Sequence, residues 1–412
     1  MSLLTAYRAL DLTDEKGFFC GKILSDLGAE VIKVEKPGGD SSRLIPPFYG
    51  DVPHPEKSLL WFAYNQGKKG ITLNLETTEG RSLFLRLVEK SHLVIESFPP
   101  GYLEEKQLGY AVLVKSNPEI ILTRISPFGQ TGPNAECKAP DIVTMATGGL
   151  MYIYGDPDRP PVRISSPQAY LYAAADAAVG SLLALYHQQN TGEGQEVDVS
   201  AQESVVLSSF NTSPWWQISQ HIIKRYGARR GGLASNVVQR QTWPCRDGFV
   251  TFVITGGNTA AKWNRVLVQW MDEESMADEF IKEINWTKFD MSATTQEFID
   301  KLEERVGKFF LSHSKRELYE GSLQRGAGLY PVAGVSYHHQ DPQLLSREFW
   351  PKIEYPELGT ALMHPGPFVK AIPNPLITGQ RAPLIGEHNK QVYQSLGLEE
   401  GELDILKNKG VI

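Results

Sequence analysis

The first third of the chain alternates short apolar, β-branched runs with longer stretches in which apolar residues recur every three or four positions. This alternation is typical of strands and helices that succeed one another around a parallel sheet. It predicts strands at residues 7–13, 30–35, 70–75, 93–98 and 120–125, and helices that begin at residue 18 and near residue 78. The fold class is therefore α/β, with a large doubly wound, Rossmann-like domain.

Residues 168–189 predict one long helix, because this stretch is rich in alanine and leucine and lacks proline. Beyond residue 215 the pattern changes to hairpin-like strands and charged helices, which indicates a smaller α+β domain. The last eighty or so residues are rich in proline and glycine and favour a connecting segment. The predicted division is 1–214 for the first part of the large domain, 215–330 for the small domain with its linkers, and 331–412 for a return segment.

Composition excludes several classes of protein. The 412 residues are 41% hydrophobic, enough for a sizeable core, and the net charge of −7 gives no general reason to bind nucleic acid or anionic membranes. The chain starts without a basic segment and apolar run, and no stretch reaches the roughly 18 apolar residues of a membrane span. A cytoplasmic protein without nucleic-acid or membrane partners is predicted.

Motifs for metals and common cofactors are missing from the sequence. Cys20, Cys137 and Cys245 have no zinc-ligand spacing and are expected to be reduced thiols. The pair His338-His339 has no carboxylate or thiol at ligand spacing, so no metal is expected. Neither a G-x-G-x-x-G turn, a P-loop nor a G-x-S-x-G elbow occurs, which disfavours dinucleotide-binding and α/β-hydrolase functions.

Several short segments, weak one by one, are specific in their order and spacing. They are DLT (11–13) with LGAEVIKVE (27–35), NQGKKGI (65–71), ESFPPG (96–101), GQTGP (129–133), Asp141 with GGL (148–150), TGEGQ (191–195) and APLIGEH (382–388). With these segments the chain resembles the family III CoA-transferases, a group that also contains the α-methylacyl-CoA racemases. The resemblance covers nearly the whole chain and implies a ring-shaped chain in an interlocked dimer.

The resemblance implies that Asp141 is a covalent nucleophile. Asp141 follows the GQTGP segment and precedes GGL, the place of a catalytic carboxylate in that family. It would attack the thioester of the donor, give a mixed anhydride and then an aspartyl-CoA thioester. A helix cap after Pro140 is the structural alternative, and by sequence alone it is the commoner role.

The resemblance also implies binding residues for coenzyme A (CoA), which would be a substrate rather than a permanently bound cofactor. Basic residues near the carboxyl ends of the sheet would bind its phosphates, although a solvated surface charge is an equal alternative for each lysine. The CoA candidates are Lys36, Asn65, Lys68, Lys69, Ser97, Phe98, Lys106, Ser126 and Phe128. Lys16, Gly231 and Gly232 are candidates for contacts with the acid or for a glycine loop over the site.

Other functions stay open at this point. The racemase branch would need a histidine and an aspartate where this chain has Pro140 and approximately Ala169, so racemisation is the weaker alternative. The chain could also be one subunit of a heteromeric transferase whose partner carries the chemistry. Homodimer and heterodimer are both possible, and the acid is expected to be dicarboxylic or aromatic, since Lys16 and several aromatic residues could suit such a substrate.

Overall fold

The structure, a computed structural model, describes residues 3–231, 237–254, 256, 258–376 and 379–412. Contacts divide the chain into two units. The large unit consists of Met1–Leu150, Ile164–Ser209 and Asp341–Ile412, and the small unit of Met151–Arg163 and Phe210–Gln340. The sequence placed boundaries at 214 and 330, whereas the contacts break at 209/210 and 340/341 and group Met151–Arg163 with the small unit.

The strands follow the predicted order closely. They are β1 Arg8–Asp11, β2 Glu30–Glu35, β3 Lys69–Thr72, β4 Leu93–Glu96, β5 Ile121–Ser126, β6 Glu196–Ser200, β7 Arg229–Gly231, β8 Val238–Arg240, β9 Thr242–Cys245, β10 Gly248–Thr251, β11 Tyr330–Pro331, β12 Lys352–Tyr355 and β13 Thr360–Met363.

The helices between them are mostly short, with a few long ones in each unit. They are α1 Phe18–Asp26, α2 Leu59–Tyr64, α3 Thr78–Val88, α4 Tyr102–Glu105, α5 Tyr110–Ser116, α6 Asp141–Thr147, α7 Leu150–Ile153, α8 Ala169–Thr191, α9 Ala201–Leu207, α10 Thr212–Ser219, α11 Asn258–Glu273, α12 Glu279–Lys282, α13 Gln296–Ser312, α14 Lys315–Arg325, α15 Pro342–Ser346, α16 Asn389–Gln394 and α17 Glu400–Asn408.

A parallel sheet is the centre of the large unit. Its six strands lie in the order β3-β2-β1-β4-β5-β6. Because successive side chains of a strand point to opposite faces, Ala9 and Leu10 are both fully buried but belong to different cores. Helices α1 and α8 cover one face, and α3, α5, α16 and α17 the other. The prediction of a large α/β domain with a parallel sheet is confirmed.

Helix α8 is the longest helix, as the alanine-rich stretch predicted. It ends at Gly192, whose φ of +75° is a left-handed conformation that favours glycine. By length and composition alone α8 could cross a membrane, but 44% of its most apolar window is buried within the protein. Its contacts with α1, β5 and α9 are those of a core helix.

The outer edge of the sheet is occupied by residues from the far end of the chain. The backbone N–H of Thr72 in β3 donates to Asn389 Oδ1 at 2.8 Å, and Tyr393 Oη donates to the carbonyl of Thr72 at 2.6 Å. The N–H of Gly70 donates to His388 Nδ1 at 3.1 Å. Segment 388–393 therefore provides the hydrogen bonds that a further strand would otherwise supply.

A buried arginine joins this C-terminal region to β2. Arg43 is fully buried and its guanidinium bonds Glu35 at 2.6 and 2.8 Å and Glu56 at 2.7 Å. It also donates to the carbonyl of Pro383 at 3.0 Å and lies 3.7 Å above the ring of Trp61. The desolvated charge is thus matched by partners on all sides.

The small unit has its own core. Strands β9, β10 and β11 form an antiparallel sheet, and the hairpin between β9 and β10 is the one that the sequence predicted around residues 243–248. Helices α11, α13 and α14 pack with it around the aromatic side chains Trp243, Phe252, Phe309 and Phe310. The predicted α+β character of this part is confirmed.

Candidate functional site

The carboxyl ends of β1, β2, β3 and β4 surround a cavity of about 340 Å³ in the large unit. The strand order reverses between β1 and β4, and ligands of open α/β sheets bind at such a point. Residues that follow each of the four strands contribute to the lining, among them Leu12, Lys36, Asn74, Glu76, Phe98 and Tyr102. This nucleotide-sized cavity is the candidate site.

Lys36 and Phe98, two of the residues predicted to bind CoA, lie in the lining of the cavity. Lys36 directly follows β2 and its side chain is exposed, so its ammonium can meet an anionic ligand. The ring of Phe98 packs against that of Tyr102, with 4.4 Å between the centroids. The two rings form an aromatic wall that could hold a planar base.

Lys106 lies beside the cavity and is already paired. Its Nζ is 2.7 Å from Glu76 Oε2 and 3.0 Å from Glu105 Oε1. Hydrogen bonds to these two carboxylates, that to Glu76 first, raise the pKa of Lys106 above its ordinary value. Tyr102 Oη donates to the other oxygen of Glu76 at 2.9 Å. A ligand that recruits Lys106 must therefore compete with Glu76.

Lys68 and Asn65, two further CoA candidates, are bonded to each other and to the turn after β1. Lys68 Nζ donates to Asp11 Oδ2 at 2.8 Å, to the carbonyl of Phe18 at 2.9 Å and to Asn65 Oδ1 at 2.9 Å. All three N–H bonds of the ammonium are thus used inside the protein, and burial lowers the pKa of Lys68 to about 8. Lys68 and Asn65 together support the turn after β1. No N–H of Lys68 is left to bind a phosphate.

Lys69 lies at the amino ends of the parallel strands, whereas the cavity lies at their carboxyl ends. It is the first residue of β3, so it is at the amino end of a strand whose carboxyl end faces the cavity. Its Nζ pairs with Glu30 Oε1 at 2.6 Å. Lys69 therefore lies away from this cavity, and its predicted contact with a CoA phosphate stays a prediction.

Ser97 and Lys16 fix the turn that follows β1. Ser97 Oγ accepts a hydrogen bond from the N–H of Asp14 at 2.9 Å and donates to Asp14 Oδ1 at 2.8 Å. Lys16 forms an ion pair with the same aspartate, and its N–H donates to Asp14 Oδ1 at 3.1 Å. In this arrangement the ammonium of Lys16 is held within the turn.

Ser126 and Phe128 lie at the end of β5, two strands from the reversal point. Ser126 is 2% exposed, and its buried Oγ has no hydrogen-bond partner among the residues that the structure describes. Buried hydroxyls are almost always bonded, so this group is available to a ligand or a water molecule. Phe128 is half-buried.

Glu96 is a carboxylate that the sequence did not single out. It is the last residue of β4, is buried, and accepts a hydrogen bond from the N–H of Phe98 at 2.6 Å. Burial raises the pKa of Glu96 to about 8 and outweighs Arg124, which lies 3.6 Å away. The available signal was a glutamate at the end of an apolar strand, just before two candidate residues. Glu96 orients the backbone of the aromatic wall.

Asp141 lies next to the first turn of the long helix α8. It is the first residue of α6 and is buried, and its Oδ1 accepts hydrogen bonds from the N–H groups of Gln168 and Ala169, both at 2.8 Å. These two donors belong to the first turn of α8 and lack partners within the helix. Asp141 thus accepts from the start of α8, whereas the cap raised by the sequence was of its own helix after Pro140, where the structure shows no side-chain cap; its role as nucleophile stays a prediction.

The surroundings of Asp141 also bear on the racemase alternative. Pro140 precedes α6 and Ala169 begins α8, so neither position carries a group that transfers protons. Tyr170, the next residue of α8, donates to the carbonyl of Ala139 at 3.2 Å. Burial, followed by the charges of Glu15 and Asp141, raises its pKa, so Tyr170 is a neutral hydrogen-bond donor here.

Gly231 and the three thiols were also singled out by the sequence. Gly231 ends β7, and a Cβ there would lie 2.4 Å from the ring of Tyr226, so close packing explains this glycine. Gly232 lies outside the described residues. Within the described ranges no group of three histidine, cysteine or acidic side chains could hold a metal ion, and the three cysteines are free thiols.

Comparisons with known proteins agree with the geometry. The family model described as CoA-transferase family III matches residues 7–389. The chain is 32% identical over 407 residues to the succinyl-CoA:(R)-benzylsuccinate CoA-transferase subunit BbsE of Thauera aromatica, with 98% of this chain and 97% of that protein covered. It is 33% identical to the succinyl-CoA–D-citramalate CoA-transferase of Chloroflexus aurantiacus, with 96% and 94% covered.

A solved structure supports the same fold. The crystal structure of a CAIB/BAIF family protein from Brucella suis superposes with a TM-score of 0.80 and 27% identity. The match covers 96% of this chain and 99% of that protein.

Proposed function

The chain belongs to CoA-transferase family III, and on this premise we propose that it takes part in moving CoA from succinyl-CoA to a dicarboxylic acid. The observation that carries the proposal is the cavity at the carboxyl ends of β1 to β4, with Lys36 and the rings of Phe98 and Tyr102 in its walls. The relatives support the choice of substrates, since (R)-benzylsuccinate and D-citramalate are both dicarboxylic acids.

In the proposed complex the cavity holds the nucleotide end of CoA. Lys36 and Lys106 pair with its phosphates, and the adenine packs against Phe98. The unpaired hydroxyl of Ser126 is available to a polar group further along the thioester. Lys68 and Lys69 are left out of this set, because their ammonium groups are engaged elsewhere. Asn65 is left out because its Oδ1 accepts from Lys68, although its Nδ2 has no partner among the described residues.

CoA transfer needs one enzyme carboxylate that holds each group in turn. It attacks the carbonyl carbon of the donor thioester, forms a mixed anhydride and releases CoA as a thiolate. The thiolate attacks the enzyme carbonyl of the anhydride, which gives an enzyme-CoA thioester and the free donor acid. The carboxylate of the acceptor repeats these two steps in reverse, so that the acceptor leaves as a thioester and the enzyme carboxylate is regenerated.

We infer that a partner subunit supplies this carboxylate. In this chain the resemblance assigns the step to Asp141, but one of its oxygens is fixed by two helix N–H groups, and this favours the cap. A relative that matches nearly the whole chain is itself named a subunit. The alternative is that Asp141 itself attacks through its other oxygen. A partner carboxylate and Asp141 as nucleophile predict different activities for the chain purified alone.

An apolar stripe on α8 supports the inference of an oligomer. Val179, Leu183 and Tyr186 are each more than half exposed, and their spacing places them on one side of the helix. Exposed apolar groups that form a continuous patch are typical of protein interfaces. The interlocked ring that the resemblance implies, as a homodimer or a heterodimer, stays a prediction.

Purified alone, the chain is expected to bind CoA but to transfer it poorly from succinyl-CoA to citramalate or benzylsuccinate. Mixed with a homologous family III chain from the same organism, it should gain activity, because the partner supplies the reacting carboxylate. Thioester formation on the acceptor, followed by chromatography, measures the transfer. Full activity of the chain alone would exclude the need for a partner, and failure of every succinyl-CoA reaction with the partner present would refute the proposed function.

Asp141→Asn and Asp141→Ala separate the two roles of this residue. The asparagine variant keeps an oxygen that can cap α8, so it should fold normally and retain transfer in the complex within a factor of about three. The alanine variant leaves the two helix N–H groups without their acceptor and should lose about 1–3 kcal/mol of unfolding free energy. Urea unfolding and hydroxylamine trapping of the acyl-enzyme provide the measurements. A well-folded asparagine variant without trapping or turnover would establish Asp141 as the nucleophile.

A further inference from the structure

A carboxylate bridges two sides of the candidate cavity. Glu76 lies in the loop after β3, whereas Tyr102 and Lys106 belong to α4 and the residue after it, beyond β4. Glu76 Oε1 accepts the hydrogen bond from Tyr102 Oη at 2.9 Å, and Oε2 lies 2.7 Å from Lys106 Nζ. Both Glu76 and Tyr102 line the cavity. One side chain therefore holds an aromatic wall residue and the neighbouring cation together.

The other acidic residues of the lining have different partners. Glu35 is bonded to Arg43 at 2.6 Å, and Asp40 Oδ1 accepts the N–H of Ser42 at 2.7 Å. Glu76 differs from both, because its ionic partner is a cation that the proposed CoA complex needs. The side chain of Glu76 is 59% exposed, so its carboxylate returns to solvent when the pair separates, while Lys106, 16% exposed, keeps Glu105 at 3.0 Å.

We propose that Glu76 sets the affinity of the cavity for CoA by competing with a ligand phosphate for Lys106. The inference rests on the proposed function, because it requires that the cavity bind the CoA nucleotide. A phosphate carries more charge than a carboxylate and can take Lys106 from Glu76, but each binding event must break that pair. The negative charge of Glu76 also repels an incoming phosphate. Glu76 thus makes binding weaker and release faster than the site would otherwise allow.

Glu76→Gln tests the competition with little change in shape. The amide oxygen can still accept the hydrogen bond of Tyr102, but one of the two charges that hold Lys106 is gone, and Glu105 at 3.0 Å is left. We expect the dissociation constant for CoA to fall about three- to tenfold at low ionic strength. The gain should shrink at about 0.5 M salt, where the charges are screened. Isothermal titration with CoA gives the affinity directly.

Glu79→Gln is the matched control. Glu79 lies in the first turn of α3, three residues from Glu76, and pairs with Lys409 at 3.4 Å instead of Lys106. Glu79→Gln removes one negative charge close to Glu76, and its affinity for CoA should stay within about a factor of 1.5 of the wild-type value. In a Lys106→Ala background, Glu76→Gln should lose most of its gain, because the contested cation is absent. An equal gain in the control or in that background would overturn the inference.

Failure of the inference can be told apart from failure of the proposed function. If wild-type protein binds CoA and Lys36→Ala weakens the binding, the cavity is the CoA site. An unchanged or weaker affinity of Glu76→Gln would then refute the competition alone. If wild-type protein binds no CoA, or Lys36→Ala has no effect on binding, the proposed placement of CoA fails first. A succinyl-pantetheine substrate, which lacks the nucleotide phosphates, should show no gain with Glu76→Gln.

Discussion

Arg43→Met is expected to lower the free energy of unfolding of the large unit by about 3–5 kcal/mol, because it leaves a buried carboxylate without its countercharge. Both side chains of the pair Arg43–Glu35 are fully buried, and Arg43 also bonds Glu56 and the carbonyl of Pro383. Methionine keeps much of the volume against Trp61 but replaces none of these hydrogen bonds. Urea unfolding followed by circular dichroism measures the change.

Two further variants identify the cause of that loss. Lys390→Met removes an exposed cation that lies 2.6 Å from Glu400. This variant should lower the free energy of unfolding by less than about 0.5 kcal/mol. Adding Glu35→Gln to Arg43→Met should recover part of the stability, since no buried charge is then left unpaired. If Arg43→Met is no more harmful than Lys390→Met, the buried network contributes little to stability.

Asp11→Asn is expected to cost about 3–5 kcal/mol at neutral pH, because two buried cations depend on this carboxylate. Lys68 lies 2.8 Å and Lys33 3.7 Å from its oxygens, and all three side chains are fully buried. Burial raises the pKa of Asp11, but the charges of Lys68 and Lys33 outweigh it and keep the pKa below 3.8. The double variant Asp11→Asn with Lys68→Met should be more stable than the single one. A single variant as stable as wild type would contradict this account.

The effect of Asp11→Asn should also depend on pH. The pKa of Lys68 is lowered from 10.5 to about 8, so between these values the unfolded chain binds more protons there than the folded chain does. The contribution of Lys68 to stability therefore rises with pH through this range. The charge of Asp11 raises the pKa of Lys68. In Asp11→Asn that pKa is therefore lower, and the stability contribution of Lys68 starts to rise at a lower pH. The stability difference between wild type and variant should be smaller at about pH 9 than at about pH 6.

The sequence predicted the sheet well because its strands contain short β-branched apolar runs that are buried on both faces. Predicted strands at 30–35 and 93–98 match β2 and β4 closely. The same prediction also contained the correct position of Lys69: a residue that precedes a strand beginning near Gly70 must lie at the amino edge. Strand direction separates this lysine from Lys36, which follows β2 at the carboxyl end of the strand.

Contacts between distant segments could not be predicted from local patterns. The bonds from Asp141 to Gln168 and Ala169 depend on how α6 approaches α8, and the sequence between them gives no periodicity that fixes this approach. The pair Glu76–Lys106 likewise depends on the loops after two strands that are not neighbours in the sheet. Helix caps within one segment, such as Thr77 for α3, were predictable because donor and acceptor are three residues apart.

The covering of β3 by segment 388–393 has a consequence for biosynthesis. During translation, β3 leaves the ribosome long before His388 and Asn389 exist, although these residues bond Gly70 and Thr72. Meanwhile the strand presents an open row of hydrogen-bonding groups to other nascent chains. The large unit must therefore mature after the small one has emerged, and shielding by a chaperone during this interval would raise the yield of native protein.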